Sequence, residues 1–253
     1  MITEITTLAI FHPFLIFCRI GTALAFMPGF GEAYINPRTK LITALAISVI
    51  SVPILESNLP PIPSNAINLF ILIASETFIG LFIGTLMRMI QALIHIAGMI
   101  IAFQSSLASA LLFDATQGSQ GSVIGNFMTI TAITLVFISD SHHLILEAII
   151  DSYYLFKVGE LPPFADFAEL FSKTLSDGFV VAFKISSPLI LIGLFIYLAG
   201  GLMGRLMPNM QVFFVVIPLQ LYLSFFMIMA TFSAGMLWYL QFFRETLTIF
   251  LSQ

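Results

Sequence analysis

The stretch "SETFIGLFIGTLMRM" (Ser75–Met89) places Glu76, Gly80, Gly84 and Arg88 at every fourth position of an otherwise apolar run. On a helix these positions form one slowly drifting stripe, so charges and glycines share a face. At about 1.5 Å of rise per residue, Glu76 and Arg88 lie about 18 Å apart along the axis and cannot pair with each other. Gly80 and Gly84 form a small-xxx-small pair that admits a second helix at close range. A charge at the centre of a lipid-exposed helix costs roughly 2.5–3.5 kcal/mol on insertion scales. This helix must therefore be enclosed by protein or face water. Structural ion pairing with partners elsewhere is the plainest reading; contacts with other subunits and an ion pathway stay open beside it.

The flanking sequence settles the class. Of 253 residues, 59% are hydrophobic and 9% are charged, against roughly 25% charged in an ordinary soluble domain. Too few charges are present to cover a water-soluble surface of this size, so the chain is an integral membrane protein, all-α and polytopic. A net charge of −4 without any basic run excludes nucleic acid as a partner. Cys18 is the sole cysteine, which excludes an intramolecular disulfide and a thiolate metal cluster. Spans of roughly 20 apolar residues are expected near 8–28, 40–55, 66–88 continuing towards 104, 123–139, 179–201 and 211–240. The first begins "MITEITTLAIFHPF" with Glu4 and no early base, and reads as a retained helix rather than a cleaved signal. "SVPIL" suggests that the short second span ends in a bend, and "SNLPPIPSNA" (Ser57–Ala66) is a turn. Pro188 and Pro218 are expected to kink the last two spans.

Two regions depart from this pattern. "SSLASALLFDATQGSQGSVIGN" (Ser105–Asn126) carries five serines, three glycines and Asp114 between long uncharged runs. Such a segment suits a surface loop, and equally a re-entrant piece that lines or blocks a pore. The stretch from Asp140 to Asp177 alternates charge with apolar stripes, and six of the thirteen acids lie within Glu147–Asp177. It is expected to form an interfacial or water-facing helix pair split at Pro162–Pro163. Arg38, Lys40 and Arg205 in "GLMGRLMPNMQ" give an orientation with those loops cytoplasmic and both termini periplasmic. Arg19, Glu76, Arg88 and Lys184 all lie within or beside spans, which suits a subunit enclosed by other subunits. Gly200, Gly201 and Gly204 repeat the close-packing signature.

Little points to catalysis or cofactors. Adjacent His142 and His143 on a helix point about 100° apart, and neither a cysteine nor an acid cluster completes a tetrahedral set, so no metal site is expected. Phosphate-loop, nucleophile-elbow and zinc-protease motifs do not occur. No cofactor is expected.

These blocks resemble, in order along nearly the whole chain, the FliR/SctT family of type III secretion export-gate subunits. The resemblance is carried by Arg19 in the first span, by Pro28, Gly29 and Gly31, by Pro37, Arg38 and Lys40, and by Glu76, Gly80 and Gly84. At the C-terminal end it is carried by Gly204, Arg205, Pro208, Asn209, Gln211 and Pro218. Asp114–Ala115 departs from the Asp-Pro often found in the family's central segment. The resemblance implies a non-enzymatic pore subunit in the inner membrane, within a flagellar basal body or injectisome base. Its implied partners are several FliP/SctR-like and FliQ/SctS-like subunits, a FlhB/SctU-like export switch protein and secreted unfolded substrates. Residues 1–175 would be the FliP/SctR-like portion and 176–253 the FliQ/SctS-like hairpin. Residues 105–126 would be the plug, with Ser105, Ser106, Ala110, Leu111, Leu112, Phe113, Asp114, Gly118, Gly121 and Gly125 at the pore. Arg19, Glu76, Gly80, Gly84, Arg88 and Lys184 would be buried or subunit-contact positions, and Gly204 to Gln211 the cytoplasmic tip against the switch protein. A secondary transporter is the alternative class, although the chain lacks the two matching halves that inverted repeats would leave.

Overall fold

The computed structural model describes residues 2–63, 65–106, 122–160, 162–207 and 211–251. Among them every regular element is helical: α1 Ile2–Phe26, α2 Pro37–Leu55, a 3-10 turn Glu56–Asn58, α3 Ala66–Gln104, α4 Val123–Ile138, α5 Ser141–Leu155, α6 Phe164–Leu206 and α7 Val212–Thr248. Four helices are long and apolar enough to cross a membrane, or five if the bent pair α4–α5 counts as one span.

Local chemistry explains the boundaries. Asn36 caps α2 by accepting the Arg38 amide at 3.0 Å, and Pro37, which has no amide hydrogen to leave unpaired, occupies the first turn. Asn65 starts α3 in the same way, its side chain accepting from the Ile67 amide at 3.1 Å. The turn after α1 needs Gly29 at φ +85°, and the one after α5 needs Gly159 at φ +92°. Asp140 separates α4 from α5 in a left-handed conformation at φ 55°, and the two helix axes diverge there by 76°.

Helices α6 and α7 exceed the spans read from hydropathy, while α3 fills the run expected from 66 towards 104. With 39, 43 and 37 residues, α3, α6 and α7 extend roughly 58, 65 and 56 Å, about twice the thickness of a hydrocarbon core. The apolar run expected at 179–201 is the middle of α6. Its acid-bearing first turns continue the same helix, because Pro162–Pro163 precede α6 and nothing breaks it afterwards. Pro188 and Pro218 both lie inside helices that run on through them. Pro188 cannot donate to the Lys184 carbonyl, and the Ser187 hydroxyl donates to that carbonyl at 2.8 Å instead.

The chain divides into two compact units. The first comprises residues 1–90, 137–175 and 244–253, and the second 91–136 and 176–243. In the first, Leu15, Ile16, Ile20, Ile79, Ile83 and Leu86 are sealed from solvent between α1 and α3. Phe82 and Phe167 stack there with centroids 3.9 Å apart. In the second, α3 and α4 cross so closely that a Cβ on Gly98 would lie 2.5 Å from the Gly125 Cα.

Candidate functional site

The most densely bonded polar centre among the described residues is Arg19, whose side chain is fully buried. Its Nε donates to Glu76 Oε2 at 2.7 Å and its Nη2 to Glu76 Oε1 at 2.9 Å, a two-pronged ion pair between α1 and α3. Nη1 donates to the Ser152 carbonyl at 3.0 Å and hydroxyl at 3.2 Å, and Nη2 also donates to the Phe156 carbonyl at 3.0 Å. Those carbonyls close the C-terminal end of α5, where the helix dipole favours a cation. The Tyr153 ring lies flat under the guanidinium, its centroid 3.9 Å from the central carbon. Glu76 therefore has its partner within this chain, and a fork of five donors explains why the cation is arginine rather than lysine.

The glycine stripe places the pair. A Cβ on Gly80 would run into Thr22 Oγ1 and the Arg19 carbonyl, and one on Gly84 would lie 2.8 Å from the Ala23 carbonyl. The backbones of α1 and α3 thus meet along Gly80 and Gly84, which brings Arg19 within reach of Glu76 one turn earlier. Arg88 on the same stripe is exposed, as is Lys184 on α6. Neither side chain makes a hydrogen bond or ion pair to another described residue. Of the four span charges, two are satisfied internally and two face outward, so the case for enclosing subunits rests on Arg88 and Lys184.

The last hairpin is looser. A Cβ on Gly200 would meet Val216 at 3.3 Å, one on Gly204 would only touch Val212 at 3.9 Å, and one on Gly201 would meet nothing within 4 Å. Gly204, Arg205 and Gln211 are exposed at this end, with Arg205 in the last turn of α6. Pro208 and Asn209 lie outside the described residues.

Of the polar interruption, residues 107–121 lie outside the described residues, and with them Ala110, Leu111, Leu112, Phe113, Asp114, Gly118 and Gly121. The flanks are built. Ser105 is buried and its hydroxyl donates to the Ala102 carbonyl at 3.1 Å, while Ser106 leaves α3 at φ 61°. Gly125 sits in the first turn of α4, packed on Gly98 and the His95 ring.

Three residues missed as a group in the sequence come together at the α4–α5 bend. Ligand atoms of Asp140, His142 and His143 all lie within 4.8 Å of one another. The spacing of 100° applies to two histidines within a helix, whereas Asp140 precedes it and reaches them from a left-handed backbone. Ser152 and Tyr153 also escape a reading based on charge. Their signal is the spacing of Ile145, Ala148, Ile149, Ser152 and Tyr153, which forms the buried face of α5. The acid-rich segment is thus amphipathic as its charges suggest, and the inward face of its first helix covers Arg19.

An apolar cavity of about 430 Å³ lies in the second unit, lined by Phe127, Ile185, Leu189, Phe225 and Phe232 among others. Thr231 is the one hydroxyl among the described residues of its wall.

Comparison with known proteins matches this architecture to one family. The family described as "Bacterial export proteins, family 1" matches residues 10–246. Flagellar biosynthetic protein FliR of Caulobacter vibrioides is 32% identical over 97% of this chain and 98% of its own length. FliR of Bacillus subtilis is 29% identical over 87% and 85%. Yop proteins translocation protein T of Yersinia pestis is 28% identical over 72% and 70%. The family match takes in both Arg19 and Glu76, the Gly80–Gly84 seam and the final hairpin, and this all-α polytopic membrane chain belongs to the bacterial export proteins, family 1.

Proposed function

We propose that this protein is a structural pore subunit of the type III export gate of the bacterial inner membrane, a flagellar one, which conducts unfolded proteins. The observation that carries this reading is a mismatch between what the chain can seal and what it exposes. Helices α3, α6 and α7 are about twice as long as a hydrocarbon core is thick, and only 11% of the most apolar window of α7 is buried within the chain. Arg88 and Lys184 are presented outward from apolar helices. A lone protein in a bilayer leaves those charges in lipid; a subunit packed among others gives them partners or a wet lumen.

The partners in this reading are several FliP/SctR-like and FliQ/SctS-like subunits. Residues 1–175 would be equivalent to the first and 176–253 to the second. Ser105–Asn126 is the plug that holds back small solutes at rest. The α6–α7 tip, with Gly204, Arg205, Pro208, Asn209 and Gln211, meets a FlhB/SctU-like switch protein on the cytoplasmic side, and both termini are periplasmic. Catalysis and cofactors have no part in this function.

The test is purification in mild detergent after coexpression with the two small gate proteins. Recovery in a large complex with both small proteins in excess is expected, and a monodisperse lone chain would overturn the proposal. In that complex, deletion of Leu111–Gln120 should leave assembly intact and make cells leaky to small solutes. Normal membrane tightness would reduce the segment to a loop.

A further inference from the structure

We propose that Asp140, His142 and His143 form a binding site for one divalent transition-metal ion at the bend between α4 and α5. The inference rests on that bend alone and is independent of the export function.

Four observations converge. The two imidazoles and the carboxylate offer ligand atoms within 4.8 Å of one another. A tetrahedral zinc ion with bonds of about 2.0–2.1 Å needs its ligands about 3.3 Å apart, so rotation of exposed Asp140 and His143 side chains closes the set. His142 Nδ1 is buried and makes no hydrogen bond among the described residues, although a buried ring nitrogen ordinarily has a partner. The His142 ring is held in place, stacked on Phe137 at 5.1 Å and 23°, with Phe137 in turn against Phe30 at 5.9 Å. Asp140, finally, occupies the cap position of α5 without capping it: its backbone is left-handed and its side chain makes no cap hydrogen bond. An aspartate in that place ordinarily accepts from the helix amides.

The donor set decides the class of ion. Calcium and magnesium require six or more oxygens or several waters, and one carboxylate cannot supply them. Arg244 lies at the same bend, its Nε donating to Ser141 Oγ at 2.9 Å and its Nη2 to the Ser139 carbonyl at 3.0 Å. Its charge, together with the positive end of the α5 dipole, opposes any cation held by electrostatics alone. Two imidazoles and a carboxylate suit zinc or copper and leave a fourth position for water or a donor from another chain.

The experiment is equilibrium dialysis of the purified full-length protein in mild detergent against Zn²⁺, with metal content compared between the parent and variants. His143→Gln should remove one Zn²⁺ per chain or weaken its binding at least about tenfold. Asp140→Asn tests the same site without disturbing the turn, since asparagine tolerates the left-handed conformation; it should weaken binding likewise. Zn²⁺ should raise the unfolding midpoint of the parent and not of either variant, whereas Mg²⁺ should do neither. Equal Zn²⁺ content in the parent and both variants, or parent binding abolished by excess Mg²⁺, overturns the proposal.

Discussion

The α1–α3 seam and the α6–α7 tip are written in the same letters and built differently. Each carries glycines at close-packing spacing and one arginine. In the first, a Cβ on Gly80 collides with the facing helix, and Arg19 is fully buried with five donated hydrogen bonds. In the second, Gly201 faces open space and Arg205 is exposed. A run of small residues marks a face on which another backbone can lie close. It does not say which backbone. The first seam finds a tight partner in the same chain; in the second, Gly200 and Gly204 lie loosely against α7 and Gly201 meets nothing within 4 Å.

The largest break in this contrast should come from the ion pair. Glu76→Gln leaves a buried guanidinium short of its counter-charge, and removing one partner of such a pair costs roughly 3–5 kcal/mol. The variant should lose most of its recoverable folded protein in detergent and unfold at a clearly lower midpoint. An unchanged midpoint would mean that the α5 carbonyls and Tyr153 suffice for Arg19. Gly80→Ala tests the seam itself. Its methyl would meet backbone and Thr22, so α1 must shift, at roughly 1–3 kcal/mol; proteolysis of α1 in the purified protein should speed up accordingly.

At the other end of the scale, Gly201→Ala should change the stability of the chain by less than about 0.5 kcal/mol. If a neighbouring subunit fills that face, the same substitution should reduce recovery of the complex. Identical behaviour of the two glycine variants, alone and assembled, would erase the distinction between the regions.

Much of this was legible in local chemistry. Long uncharged runs mark the spans and the four-residue stripe marks a seam on α3, whereas the "INPR" cap that starts α2 at Pro37 appears only in the structure. The ion pair was legible only by halves. Spacing shows that Glu76 and Arg88 cannot meet, but the partner of Glu76 lies 57 residues away on another helix, and periodicity within one helix does not choose between helices. The continuity of α6 from Phe164 into the apolar span was hidden for a different reason. Hydropathy changes near residue 178 while the backbone does not, since no proline or cap interrupts "FSKTLSDGFVVAF". Charge likewise concealed Ser152 and Tyr153, whose roles are set by where α5 packs.

The wide separation of Arg19 from its partners also has a consequence in time. Glu76 is made 57 residues after Arg19, and Ser152 133 residues after it. At about 5–20 residues per second of synthesis, α1 exists for roughly 3–11 seconds before its carboxylate is made, and for roughly 7–27 seconds before the helix end that completes the cage. During the first of these intervals none of the Glu76, Ser152 and Phe156 acceptors that hold its guanidinium in the finished protein has been made. The first helix is therefore provisional at birth, and its final seat is decided by sequence the ribosome has yet to read. Cys18, one position before Arg19 and buried in the finished protein, reports the change: it should react with water-soluble thiol reagents in chains arrested short of Glu76 and become protected once α3 and α5 have arrived.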